Sequence, residues 1–196
     1  MLWNRSLVMY DVETKSNWSH ILGRAMDGEM KGTRLEMLPS EMTTWDGWRK
    51  AHPDTTVLNL SRTHQGFTKD FYKDPAAWVY GWSVGRNQYH AGMEALAKDP
   101  VWNVETGGDT LLVVFDPTST LAQLYSRRVR SRTLSFSAAG DGRMKDSETG
   151  SIWEMSTGSA VSGTLKGNRL EQRLGMLSYR RAWNDFYPKS QAAEPR

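Results

Sequence analysis

The sequence contains no cysteine. That absence excludes a disulfide scaffold, thiolate zinc sites, iron–sulfur clusters and a cysteine nucleophile. It leaves the redox compartment open. Histidine is scarce: His20, His52, His64 and His90 are the only four, and none stands in an HxH or HExxH spacing that would mark a metal site. Long apolar runs are also missing. The longest is five residues, as in Leu111–Phe115, against the roughly 20 needed to span a membrane. The first ten residues lack the separate apolar stretch and cleavage site of an export signal. Charge of one sign is not in excess, with 25 Lys and Arg against 22 Asp and Glu. A net +3 over this length is too weak a field to imply nucleic acid. There is no serine elbow, Walker loop or dinucleotide fingerprint, and Gly107-Gly108 precedes a strand rather than a helix, unlike a phosphate cradle.

What is present is a chain of 196 residues, 38% hydrophobic and 24% charged. That composition supports a sizeable core, in one large domain or two small ones. Nine Trp and ten Met stand out. The chain also repeats itself. An offset of 135 residues sets Asp11-Val-Glu-Thr-Lys-Ser-Asn-Trp18 on Asp146-Ser-Glu-Thr-Gly-Ser-Ile-Trp153, and Lys31-Gly-Thr-Arg-Leu-Glu36 on Lys166-Gly-Asn-Arg-Leu-Glu171. Gly23, Ala25, Gly28, Trp48 and Pro53 also recur. Columns 11 to 53 hold 15 identities in 43, which identifies a duplication.

Each copy reads as short strands and glycine turns closed by a short helix. Leu7–Tyr10 and Ser16–Ile21 form a strand pair around an Asp-x-Glu-Thr turn. Strands near Arg24–Met26 and Thr33–Leu38 follow. Thr43 and Ser178 are the expected helix N-caps, and Pro53 and Pro188 the expected stops. The run Thr110–Phe115 predicts a strand buried on both faces. Further strands are expected at Ser119–Tyr125, Arg132–Ser137, Trp78–Val84 and Gln88–His90, with a helix at Met93–Lys98. The fold expected is mainly β (a β-rich α+β chain) of two tandem homologous β units, each closed by a short helix, the first incomplete. Residues 1–60 read as the C-terminal half of the first repeat and 61–78 as an inter-repeat loop. Residues 79–188 read as a complete second repeat and 189–196 as a disordered tail. Because residue 1 aligns with residue 136, the expectation is a late start that omits strands of the first unit. The resulting unpaired sheet edge invites a homodimer.

The motifs Leu7-Val-Met-Tyr-Asp-x-Glu-Thr-x-Ser-x-Trp18, Gly32-Thr-Arg-Leu-Glu36 and Leu112-Val-Val-Phe-Asp-Pro117 resemble a bacterial family catalogued as domain of unknown function 3179. So do Ser61-Arg-Thr63, Phe67-Thr-Lys-Asp-Phe-Tyr-Lys-Asp-Pro75 and Ser178-Tyr-Arg-Arg-Ala-Trp183. The resemblance covers residues 2 to 188. It implies an extracytoplasmic protein, periplasmic or secreted, of unknown activity, and more sequence ahead of the point matching Met1. Many members carry Cys-Pro-x-Cys-Gly after a buried strand. Here the matching stretch is Asp116-Pro-Thr-Ser-Thr120, which lacks the thiols.

Candidate chemistry is sparse. The repeated carboxylates Asp11, Glu13, Asp146 and Glu148 could serve acid–base work if Glu13 and Glu148 faced each other across a pseudo-two-fold axis. The alternative is that they cap turns and pair with Arg34 and Arg169. Arg127, Arg128, Arg130 and Arg132 read as a charged hairpin, with a phosphate-binding edge as the alternative, and Arg180 and Arg181 form a second basic cluster. Trp18, Trp48, Trp153 and Trp183 are repeat-equivalent and assigned to the core. Trp45, Trp78 and Trp82 lack an equivalent and are expected at the surface. Arg62, His64, Tyr72, Trp78 and Trp82 form the expected binding group, on a loop held by a rigid scaffold. The leading expectation is a non-catalytic binding or structural module for a small molecule or protein, without cofactor, metal or nucleic acid. The alternatives are a hydrolase or transferase using Glu13, Glu148 and His64, and a metal-handling protein.

Overall fold

A computed structural model of the chain describes residues 2–4, 6–57 and 74–196. Strand β8 (Asp109–Asp116) lies between β7 (Val101–Thr106) and β9 (Leu121–Ser126) in an antiparallel sheet. Leu111 to Phe115 are all buried. Side chains alternate faces along a strand, so the run serves two cores. Leu111, Val113 and Phe115 join Tyr80, Trp82, Met93 and Leu96. Leu112 and Val114 join Phe136, Met144 and Trp153. Each such buried side chain contributes about 1.5–3 kcal/mol, and polar residues on either face would forfeit that.

One outer layer is a four-stranded sheet. Its order is β16 (Gly175–Tyr179), β5 (Trp78–Val84), β6 (Asn87–Gly92) and β17 (Gln191–Ala192). Helix α2 (Met93–Lys98) adds Met93 and Leu96 to its core. Helix α3 (Arg180–Phe186) lies over β5 where Gly81 leaves room, since a Cβ at Gly81 would meet the Trp183 ring. The other outer layer is the meander β12 (Phe136–Gly140), β13 (Arg143–Asp146), β14 (Ile152–Glu154) and β15 (Ala160–Ser162). The ribbon β10 (Arg128–Val129) and β11 (Arg132–Thr133) makes the arginine-rich stretch a hairpin. Arg127 turns inward, donates to the Leu134 carbonyl at 3.2 Å and pairs with Glu105 at 3.7 Å.

The duplication is visible in three dimensions. Strands β1 (Leu2–Trp3), β2 (Ser6–Asp11), β3 (Ser16–Ser19) and β4 (Arg24–Asp27) repeat the meander order. The register shift at Asn17/Trp18 recurs at Ile152/Trp153. Helix α1 (Trp45–Ala51) maps onto α3 end to end under the 135-residue offset. Side-chain bonds repeat as well. The Ser16 and Ser151 hydroxyls accept from the Met30 and Leu165 amides, both at 3.0 Å. The Trp48 and Trp183 indoles donate to Thr55 and Ser190, both at 2.8 Å. Gly28 and Gly163 have positive φ, and a side chain at either would strike Ser16 or Ser151.

Several expectations need correction. The helix caps are Thr44 and Tyr179, one residue after Thr43 and Ser178, because Thr43 donates its hydroxyl to the Ser119 carbonyl instead. Thr33–Leu38 is not a strand, and only Arg34 forms an isolated bridge there. The tail is ordered: Gln191–Ala192 pairs parallel to β6, and the Arg196 amide donates to the Asn103 carbonyl. Trp18 and Trp48 are half-buried rather than core, whereas Trp153 and Trp183 are buried. The reason is the covering layer. Met144 and Trp153 are partners across β13 and β14, pressed against β8. Their equivalents Met9 and Trp18 are partners across β2 and β3, and no sheet among the described residues covers them.

This contrast is testable. Met144→Ala should cost about 2–5 kcal/mol in urea unfolding, and Met9→Ala, at a site 44% exposed, under about 1 kcal/mol. Equal costs would contradict the layered arrangement.

Candidate functional site

Of the residues expected to form a site, Arg62, His64 and Tyr72 lie outside the described residues. Trp78 and Trp82 are not surface residues, at 7% and 2% exposed. The Trp78 ring lies 3.9 Å from that of Tyr179, and the Trp82 indole donates to Thr106 at 3.1 Å. Both sit on β5, which is central in its sheet and covered on both faces, by β7–β9 and by α3. Trp45 is exposed, with Arg49 over its ring.

The repeated carboxylates shape turns. Glu13 and Glu148 are both exposed. The Glu148 carboxylate accepts from the Ser135 amide at 2.9 Å. Asp146 is buried and accepts from the Trp153 indole at 2.8 Å and from Thr149. Asp11 accepts from Thr14 in the same way, and that hydroxyl contact holds its carboxyl below the usual range. The expected ion pairs do not form: Arg169 donates to the Thr157 carbonyl at 2.9 Å, and Arg34 turns elsewhere. His20 and His90 are engaged locally, His20 with the Leu7 carbonyl and His90 with Ser190. Among the described residues, no three His, Asp or Glu side chains converge as a metal site.

Arg34 opens into a cleft of about 640 Å³ between the first repeat and the second. Arg24 and Arg34 come from the first repeat, and Arg86 from the turn between β5 and β6. Trp82, Trp183 and Tyr187 line the second repeat's side, facing Met37 and Leu38. Among the described residues, no Asp or Glu lines it. The guanidiniums of all three arginines are without a hydrogen bond or ion pair among the described residues. The Tyr187 hydroxyl donates to the Ile21 carbonyl at 3.2 Å, joining the two sides. Burial pushes the Tyr187 phenol up, while Arg24 and Arg34 pull it back.

Arg24 and Arg34 are cross-strand partners. The flanking bonds run from the Ala25 amide to the Thr33 carbonyl at 3.0 Å and from the Leu35 amide to the Gly23 carbonyl at 2.8 Å. That makes 24 and 34 a non-hydrogen-bonded antiparallel pair, the arrangement that brings side chains closest. Like charges directly opposite each other are destabilising. In the second repeat the same bridge joins Ser159 to Arg169, so the doubled arginine belongs to the first repeat alone.

A smaller cavity of about 140 Å³ adjoins the cleft, sharing Ser40 and Met176 with it. Glu41 lines it. The Gln123 amide donates to the Glu41 carboxylate at 2.6 Å and Gln172 donates to Gln123 at 2.7 Å. His52 lies 3.9 Å away. Burial raises the Glu41 carboxyl above the ordinary glutamate range, partly offset by His52 and Gln123. Sequence reasoning missed Arg24, Glu41 and Arg86. For two of them a signal existed: Arg24 aligns with Ser159 and Glu41 with Met176, departures from an otherwise shared frame.

Because Glu41 holds its proton to higher pH when folded, the folded chain binds more protons than the unfolded chain just above the ordinary glutamate range. Its contribution to stability therefore falls as pH rises through that window. Urea unfolding should show Glu41→Gln gaining stability relative to wild type as pH rises through and just above the ordinary glutamate range. A relative loss over the same span would contradict the assignment.

No helix among the described residues is long and apolar enough to cross a membrane. No curated protein and no solved structure matches the chain. A family model does, over residues 1–78 and again over 74–190, two segments that fit two tandem units. The chain thus belongs to the family described as protein of unknown function DUF3179.

Proposed function

We propose that the protein is a non-catalytic binding module that takes an acidic small ligand in the cleft between its two repeats. The observation that carries this reading is the set of Arg24, Arg34 and Arg86 around one cleft with no carboxylate lining it among the described residues. Cationic side chains normally find partners or solvent away from one another, because like charges cost energy at close range. Unpaired guanidiniums at a concave, partly apolar site favour an anion brought from outside. The volume lies within the range of small-molecule sites, about 300–1,000 Å³. The half-buried Tyr187 ring, with Met37 and Leu38 opposite, supplies an apolar wall for the rest of the ligand. The extracytoplasmic setting that the family resemblance implies belongs to the same reading, and subcellular fractionation of the source bacterium tests it.

Benzoate and benzamide share a ring and differ in charge. Titrated against the protein and read through tryptophan emission, benzoate should bind and benzamide should bind at least about ten-fold more weakly. Arg86→Gln should weaken benzoate alone. Equal binding of both, or of neither, would overturn the acidic-ligand reading.

A further inference from the structure

The Arg24–Arg34 pair says more than that the ligand is acidic. We infer that this pair receives a phosphate monoester, with its ester-linked apolar group directed toward Tyr187 and the Met37–Leu38 side of the cleft. The inference rests on the acidic-ligand reading of the cleft and goes further by naming the group bound.

Charge and geometry both favour phosphate over carboxylate. A guanidinium presents a planar fork of N–H groups, and one carboxylate satisfies one fork through its two oxygens. Two forks side by side need more acceptors than that. A phosphate monoester carries three terminal oxygens and about −1.5 to −2 charge near neutral pH. It can bridge both arginines and neutralise both. The closest cross-strand arrangement of an antiparallel pair holds Arg24 and Arg34 together. The backbone therefore sets the two side chains out from adjacent points on one face, within reach of a single anion.

The second repeat is an internal control. Ser159 stands where the first repeat has Arg24, and the remaining Arg169 is occupied by the Thr157 carbonyl at 2.9 Å. The same backbone with a single arginine uses that arginine structurally. With two arginines, neither guanidinium is engaged among the described residues. Arg24 is exposed on β4, so replacing it with serine reproduces the second repeat without disturbing a buried contact.

The test compares phenyl phosphate with benzoate, by calorimetry on the full chain, in wild type, Arg24→Ser and Arg24→Lys. Wild type should bind phenyl phosphate about ten-fold or more tighter than benzoate. Arg24→Ser should lose about ten- to a hundred-fold of phenyl phosphate affinity and under about three-fold of benzoate affinity. Arg24→Lys, which keeps the charge but not the fork, should recover only part. If the two ligands bind equally and Arg24→Ser leaves their ratio unchanged, the phosphate inference is overturned and the acidic-ligand reading stands. If neither ligand nor phosphatidate vesicles bind, both fall. Vesicles of phosphatidylcholine and phosphatidate distinguish a lipid headgroup from a soluble ester. Binding to phosphatidate vesicles but not to phosphatidylcholine would support the monoester with a lipid source, and equal binding to both vesicles without binding to phenyl phosphate would overturn the inference.

Discussion

Strand β8 is buried on both faces, and the arrangement of the layers follows from that constraint. A strand whose five successive apolar side chains are all buried must have a layer on each side. The β5–β6 sheet with α2 supplies one, and the β12–β15 meander supplies the other. Helix α3 then adds an outer cover over β5, seated by Gly81. The first repeat docks against that stack. Among the described residues the docking contacts include Thr43 and Thr44 on the Ser119 carbonyl, Gln123 on Glu41, Tyr187 on Ile21, and Trp3 edge-on to Phe186 at 5.0 Å. The cleft lies where that docking leaves the two repeats apart.

The two repeats share a scaffold and differ at the site. The Asx-type turns at Asp11 and Asp146, the serine–amide bonds at Ser16 and Ser151, and the tryptophan–hydroxyl bonds at Trp48 and Trp183 recur position by position. They hold the backbone in one shape twice, which is why identities cluster there. Residues that carry fold are constrained in both copies. Arg24 and Glu41 stand in one copy only, where the other has Ser159 and Met176.

Much of the fold was legible from residues alone. The two-sided burial of 110–115, the meanders and the helices ahead of Pro53 and Pro188 follow from apolar period, turn chemistry and proline. The burial of Trp78 and Trp82 was not legible, because it depends on β5 packing on the face of β8 that carries Leu111, Val113 and Phe115, a contact between residues about thirty positions apart. The half-exposure of Trp18 and Trp48 was equally hidden: the sequence shows what repeats, not whether each copy is covered. The site was nearly illegible. Two of its arginines are ordinary surface residues in the sequence. Only the bridge between Arg24 and Arg34 and the approach of Arg86 from another sheet make them a group.

The central claim, that the cleft is an anion receptor built on paired arginines, is tested most directly by crystallography. Tungstate is a tetrahedral oxyanion that reports its position through anomalous scattering. Crystals grown with it should show an anomalous peak between the guanidiniums of Arg24 and Arg34, in molecules where no neighbouring copy touches the site. Tungstate bound only elsewhere on the surface, with Arg24 and Arg34 splayed into solvent, would contradict the account.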